Sequence, residues 1–433
     1  MKKFLTVLLA LFLVLPMVAC APTTSTSGTK APPPQTTAGD TGKKVVIKYS
    51  GWRTEDQAAI TKMNELFTAE HPNIEVVYEP IQATEYDTYL QTALANGTAA
   101  DVIMMRSYGG GRTVFSGGKI LELNTQNVPN LQAQIDAGID AWASDGKYFA
   151  VGTGMTMEGV WYNKDIFEAC GINKLPTTVQ DLIDICKTIK DKNYLPIACG
   201  IADDWYVSEE VTSSILMSVI GSNDWVKKLY DKKINFTDPQ YVQMLQTFLD
   251  LAPYYPDFYE GLTYEDCQSL FITGSAAMYM SGSFELQGFI ETNPDLKMGC
   301  FAFPGQTAAP VGQNYTAACS AGVYTDSKYV EEALTYVNWL ASQEGGEAYA
   351  NGVLGFFSPN PAASELKDER AKEWQALSNG KTMIHMLGYE TMYDGSPDYS
   401  TAIGNTVRAM VADGLTAEDA AAYMQEQMNW YFK

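Results

Sequence analysis

The sequence predicts an α/β protein of two lobes, each a mainly parallel sheet flanked by helices. Three observations predict it. At 433 residues the chain exceeds what a single hydrophobic core supports, so two cores are expected. From Val45 onward, β-branched runs alternate with segments whose apolar residues recur at helical spacing, the pattern of a parallel sheet covered by helices. Finally, Gly146 to Ile172 runs extended through Gly152 and Gly154, whose missing Cβ permits unusual backbone angles, then opens a helical segment that stops at Gly171. This stretch reads as the backbone leaving one lobe and entering the other.

The N-terminus predicts export. Lys2 and Lys3, the apolar run Phe4 to Leu15 and then Met17-Val18-Ala19-Cys20 read as a secretory signal over residues 1–19 with a lipoprotein box. Small residues before Cys20 suit cleavage at its N-side and lipidation of its sulfur. The apolar run is shorter than the roughly twenty residues a membrane span needs. Residues 20–43, rich in Pro, Thr, Ser and Gly, carry too little apolar surface to fold and read as a disordered tether. The expected location is therefore the extracytoplasmic face of the cell membrane, held by a lipid anchor and not by a spanning helix.

Composition narrows the function. The chain is 46% apolar and 18% charged, as soluble globular proteins are, and its formal charge of −22 argues against nucleic acid as a partner. Cys170, Cys186, Cys199, Cys267, Cys300 and Cys319 are well separated and are expected to be buried free thiols. With only His71 and His385 and no clustered ligand spacing, neither zinc nor another cofactor is expected.

Taken in order, Val45 to Tyr49 reads as a strand, and Thr54 with Gln57 as a capping box before a helix carrying Ile60, Met63 and Phe67. Asn73 to Tyr78 alternates as a half-buried strand. Tyr86, Leu90, Ala93 and Leu94 mark a helix, and Ala100 to Met105 a buried strand. Gly109-Gly110-Gly111-Arg112 reads as a turn before a helix. Thr177 with Gln180 caps the helix of Leu182, Cys186 and Ile189, and Leu195 to Cys199 is a strand. Leu270 to Met278 closes a helix and opens a strand, and Lys297 to Phe303 forms another. Val330 to Leu340 is helical, and Thr416 to Asp419 caps a final helix.

Two of these stretches carry a resemblance. Tyr162-Asn163-Lys164-Asp165 and Phe271-Ile272-Thr273-Gly274-Ser275-Ala276-Ala277-Met278 resemble segments of the family 1 extracellular solute-binding proteins, the maltose-binding-protein-like superfamily of sugar ABC importers. The resemblance spans nearly everything after the tether. It implies the type II periplasmic-binding-protein-like fold with about three hinge crossings. The second and third would be Phe303-Pro304-Gly305 and Gly355-Phe356-Phe357-Ser358-Pro359. The N-lobe would be residues 44–151 plus 305–356, the C-lobe 152–304 plus 357–433. It further implies a monomer that captures a carbohydrate, an oligosaccharide by preference, and delivers it to the permease transmembrane subunits without performing chemistry.

Sugars present hydroxyl edges and weakly polar faces, so their clefts need aromatic platforms rimmed by polar groups. In parallel sheets ligands sit beyond the carboxyl ends of strands. That position singles out Trp52 and Arg53, then Arg106, Ser107 and Tyr108, then Asp204 and Trp205, then Ser283 and Phe284. Glu158 lies within the first crossover. By resemblance, Trp205 and Phe284 fall where members stack a sugar ring, with Tyr393 and Tyr399 as weaker additions. Each ring has a plain alternative as core, and each Arg as a surface ion pair. Met105 or Arg106 stands where maltodextrin-binding members carry an aromatic, so that specificity is not expected here.

Other functions find thinner support. The glycine run lacks a phosphate-loop pattern and no G-x-S-x-G occurs. Asp203-Asp204 and Glu209-Glu210 resemble glycosidase acids only on paper and read as solvated helix starts. A glycan-degrading lipoprotein enzyme and a binder of a non-sugar ligand such as an organic anion remain the alternatives.

Overall fold

Among the described residues, eleven strands organise the molecule. They are β1 (Val45–Gly51), β2 (Ile74–Pro80), β3 (Val102–Ile103), β4 (Ala143–Ser144), β5 (Lys147–Tyr148), β6 (Val151–Asn163), β7 (Leu195–Ala198), β8 (Ala276–Gly282), β9 (Met298–Phe301), β10 (Gly312–Val323) and β11 (Thr382–His385). The computed structural model describes residues 44–310 and 312–433. The signal, Cys20 and the tether lie outside them. Among the described residues no helix is long and apolar enough to cross a membrane.

Nine of these strands form one sheet, ordered β2-β1-β3-β10-β6-β8-β7, with β11 beside β10 and β9 beside β6. The outer pairs are parallel: β1 with β2 and β3, and β7 with β8. The two long strands at the centre run antiparallel. β10 pairs with β3 at one end and β6 in its middle, while β6 goes on to pair with β8 and β9. The sheet therefore passes without a break from one half of the molecule to the other.

Each half buries its own core. One gathers Tyr49, Phe67, Val102, Trp142, Phe149 and Tyr336. The other gathers Trp161, Ile197, Tyr206, Phe248, Tyr279, Trp374 and Ile403. The helix Val330–Leu340 packs on the first core and the helices Tyr399–Ala412 and Ala417–Gln427 on the second.

Backbone crossings join the two halves. β6 carries the first, and Met155 and Phe357 exchange both backbone hydrogen bonds at 2.8 Å in the third. The second lies further along than Phe303-Pro304-Gly305. Gly305 bridges Thr178 and Gln306 donates to the Ser218 carbonyl, which ties both to the second half, so β10 makes the crossing.

Three local readings change. The first helix begins at Gln57 with Asp56 at its cap and no side-chain cap bond, because the Asp56 carboxylate is held by Arg53 at 2.5 Å. The second capping box is formed by Thr178 and Asp181, one residue later than the Thr177-Gln180 pair. The glycine run is no turn; it lies inside the helix Tyr108–Ser116. A Cβ on Gly111 would meet the Arg106 carbonyl and the Phe149 ring, so only glycine lets this helix settle there. All six cysteines within the described residues are buried and free, as expected.

Candidate functional site

At the end of β1, the Trp52 ring is pinned edge-on by Tyr86 with centroids 5.3 Å apart, and it is only 9% exposed. Tyr86 is itself fixed by bonds to the carbonyls of Ser50 and Met104, which sets Trp52 relative to the ends of both strands. Arg106, just beyond β3, lays its guanidinium 4.1 Å above the Trp52 ring and bonds Asp87 at 3.2 Å. Such a cation–π contact holds the indole and the guanidinium side by side.

Arg53 is more deeply placed. It pairs with Asp56 and Glu55 and lies 4.9 Å from the Phe356 ring and 5.8 Å from Phe284. Phe284 follows β8 of the other half, so this contact bridges the two halves. Ser107 is buried at the start of its helix. Tyr108, at a φ of 47°, places its ring 4.2 Å from His385 at the end of β11. Burial lowers the His385 imidazole to about 3, so it is neutral. Its Nδ1 lies 3.0 Å from the Met386 carbonyl and therefore donates, which leaves Nε2 as an acceptor without a partner.

Glu158, midway along β6, forms the floor. It is 2% exposed; Oε1 accepts from Thr316 at 2.8 Å and Thr156 at 3.2 Å, and Oε2 has no partner. Burial pushes its carboxyl up to about 8. Facing it is a π-helical turn, Val207–Val211, which carries Glu209 and Glu210. Such turns recur at functional sites because the extra residue redirects side chains. Glu210 is buried, and burial together with Glu158, Glu209 and Glu285 holds its carboxyl well above the usual range. Glu209 accepts a short bond from Tyr389, and Arg106 is near enough to offset part of the burial that raises it.

The structure thus brings together Trp52, Arg106, Glu158, Glu209 and Tyr389 from both halves. Tyr393 joins from the same side as Tyr389, its ring pressed onto Gly109 where a Cβ would overlap it. Trp205, half-buried, packs its ring on Tyr264 at 4.7 Å and on Tyr206 at 6.0 Å.

Residues 50–347 match the family model described as bacterial extracellular solute-binding protein. The chain belongs to that family. This solute-binding protein is 23% identical over 386 residues to the multiple sugar-binding protein of Streptococcus mutans, covering 86% of this chain and 88% of the relative. It is 30% identical over 254 residues to the diacetylchitobiose binding protein DasA of Streptomyces coelicolor, covering 54% and 55%. The structure of the solute-binding protein RafE in complex with raffinose superposes with a TM-score of 0.72 at 19% identity, over 90% of this chain and 100% of that one. That likeness shows the shared fold.

Several sequence expectations change in this solute-binding protein. Ser283 does not face the cleft: it is fully buried, and its hydroxyl donates to Gly355 and accepts from the Met157 amide. Asp204 is taken by Arg408 at 2.6 Å, anchoring the helix Tyr399–Ala412. Tyr399 is 5% exposed, stacked near Phe236 and closed in by Gly388, and cannot serve as a platform. Glu209-Glu210 is no solvated helix start, because the π turn rotates both carboxylates inward. Tyr389 and the Gln313-Asn314 pair escaped the sequence reading altogether. The available signal was polar residues within otherwise apolar stretches, Gln313-Asn314 in a crossing strand above all.

Proposed function

We propose that this solute-binding protein captures a carbohydrate between its two halves and presents it to the transmembrane subunits of an ABC importer. The observation that carries the reading is the meeting of Trp52 and Arg106 from one half with Glu209 and Tyr389 from the other, above Glu158. An indole offers its face to sugar C–H groups while carboxylates and a guanidinium address hydroxyls. Contacts contributed by both halves favour the closed arrangement over an open one, which is how capture becomes a signal. The names of its relatives, a multiple sugar-binding protein and a diacetylchitobiose binding protein among them, support the same class of ligand.

In this reading the protein is a monomer that performs no chemistry on its ligand. It is held outside the cell membrane by lipid on Cys20 through the tether of residues 20–43. Calorimetric titration with mono- and oligosaccharides, with the mixtures then checked for shortened products, tests it. Saturable binding with intact sugar is expected. Cleavage would replace capture by hydrolysis, and saturating carboxylate binding without any sugar response would favour an organic anion.

A further inference from the structure

Among the described residues, four buried oxygens around the cleft floor have no hydrogen-bond partner: Glu158 Oε2, Glu210 Oε2, Gln313 Oε1 and Asn314 Oδ1. All four residues are at most 2% exposed. They come from β6, the π turn and β10, elements of different parts of the chain that converge here. The nitrogen ends are already engaged. Gln313 Nε2 donates to the carbonyls of Glu158 at 2.6 Å and Asn314 at 3.1 Å, and Asn314 Nδ2 donates to Ser213 at 2.8 Å. These bonds fix the amide orientations and leave each oxygen without a partner.

The charges around the floor are unbalanced in the same direction. Glu209 stands beside it, bonded to Tyr389, and Glu285 behind it, held by Gln268, Ser281 and Tyr279. The cations nearby are committed elsewhere: Arg53 to Asp56 and Glu55, and Arg106 to Asp87 and the Trp52 face. Among the described residues, Glu158 and Glu210 meet no cationic partner in a hydrogen bond or ion pair. A buried carboxylate left so must hold a proton or meet a cation.

We propose that the ligand accepted by this floor carries a protonated amine, which donates to Glu158 and Glu210. An ammonium brings three N–H donors and a full positive charge, where a sugar hydroxyl brings one donor and none. The inference rests on carbohydrate capture and narrows it to amino sugars with a free amine. Entry requires the halves to part, drawing Trp52 and Arg106 away from Glu209 and Tyr389. Burial raises both carboxyls in the empty protein, so an ammonium that pairs with them displaces a proton to solvent.

The test is calorimetric titration of the intact protein with matched pairs: glucosamine against glucose, galactosamine against galactose, and chitobiose with free amines against its N-acetylated form. Each runs at pH 7 in two buffers of different ionisation enthalpy. An amine that binds at least tenfold tighter than its neutral counterpart and releases protons, with the preference lost in Glu158→Gln and Glu210→Gln, is the expected result. Should either variant misfold, the wild-type pairs decide alone. Neutral members binding as tightly as the amines overturn the inference and leave carbohydrate capture standing. Silence from every amine overturns it as well, and only silence from the neutral sugars in addition removes capture itself.

Discussion

Ser283 and Gly355 are joined by a 2.6 Å hydrogen bond, hydroxyl to carbonyl, where the end of β8 meets the third crossing. Gly355 sits at a φ of 94°, and a Cβ there would lie 1.9 Å from the Ser283 carbonyl. The Met157 amide of β6 completes the junction at 3.1 Å. Ser283→Ala strands a buried carbonyl and a buried amide and is expected to cost about 1–3 kcal/mol. Gly355→Ala adds a strained backbone of comparable cost and a collision with main chain. Urea unfolding midpoints measure both; because the two residues touch, the double variant should lose less than the sum.

Asp56 is buried with only Arg53 to neutralise it, and its Oδ1 has no partner. Arg53→Met keeps much of the volume and removes the charge, leaving a lone buried carboxylate. The expected loss is about 3–5 kcal/mol in thermal or urea unfolding. Arg53→Met combined with Asp56→Leu should recover most of it, since replacing both members of a buried pair by apolar groups is often close to neutral.

Trp52→Ala removes the platform and the surface on which Arg106 rests. A loss of about 2 kcal/mol in ligand affinity, roughly thirtyfold in Kd, is expected for a central aromatic anchor. Trp52→Phe should retain part of it. Calorimetry on the folded variants reads both, and an unaltered Kd in Trp52→Ala removes the indole from the site.

Glu158 titrates at about 8 in the folded protein against 4.5 ordinarily, because burial disfavours its charge. A raised folded value means that the native state binds the extra proton. Its stabilising contribution is complete below 4.5, shrinks as pH climbs, and is gone above about 8, with a slope of about 1.4 kcal/mol per pH unit at most. Glu158→Gln should flatten unfolding free energy over that window and be relatively more stable at the alkaline end. His385 works oppositely. Lowered to about 3 by burial, it supports the fold above 6.5 and loses that support as acid is added toward 3. His385→Leu should therefore resist acid unfolding better than the parent.

The alternation of strand and helix made the fold class legible, and the third crossing was visible in Gly355-Phe356-Phe357 because its resemblance to the family is local in sequence. The single sheet was not, since pairing of β10 with β3 and β6 depends on contacts far apart along the chain. Within the site, Trp52 and Arg106 could be found because strand ends are predictable places. Glu209 and Glu210 could not, because a five-residue π turn leaves no periodic mark and reads as ordinary helix. Ser283 was misassigned for the reverse reason. Its position in the chain matches that of a ligand-facing residue, while its hydroxyl is consumed by backbone that only the folded crossing supplies.

The register between β6 and β10 slips on both sides of Cys319, at Ala317 and again at Ser320. Such irregularities let a paired ribbon curve at one place while staying bonded on either side. Bending confined to that point leaves the pairing on either side intact, so the halves can part and meet again without breaking the sheet that joins them.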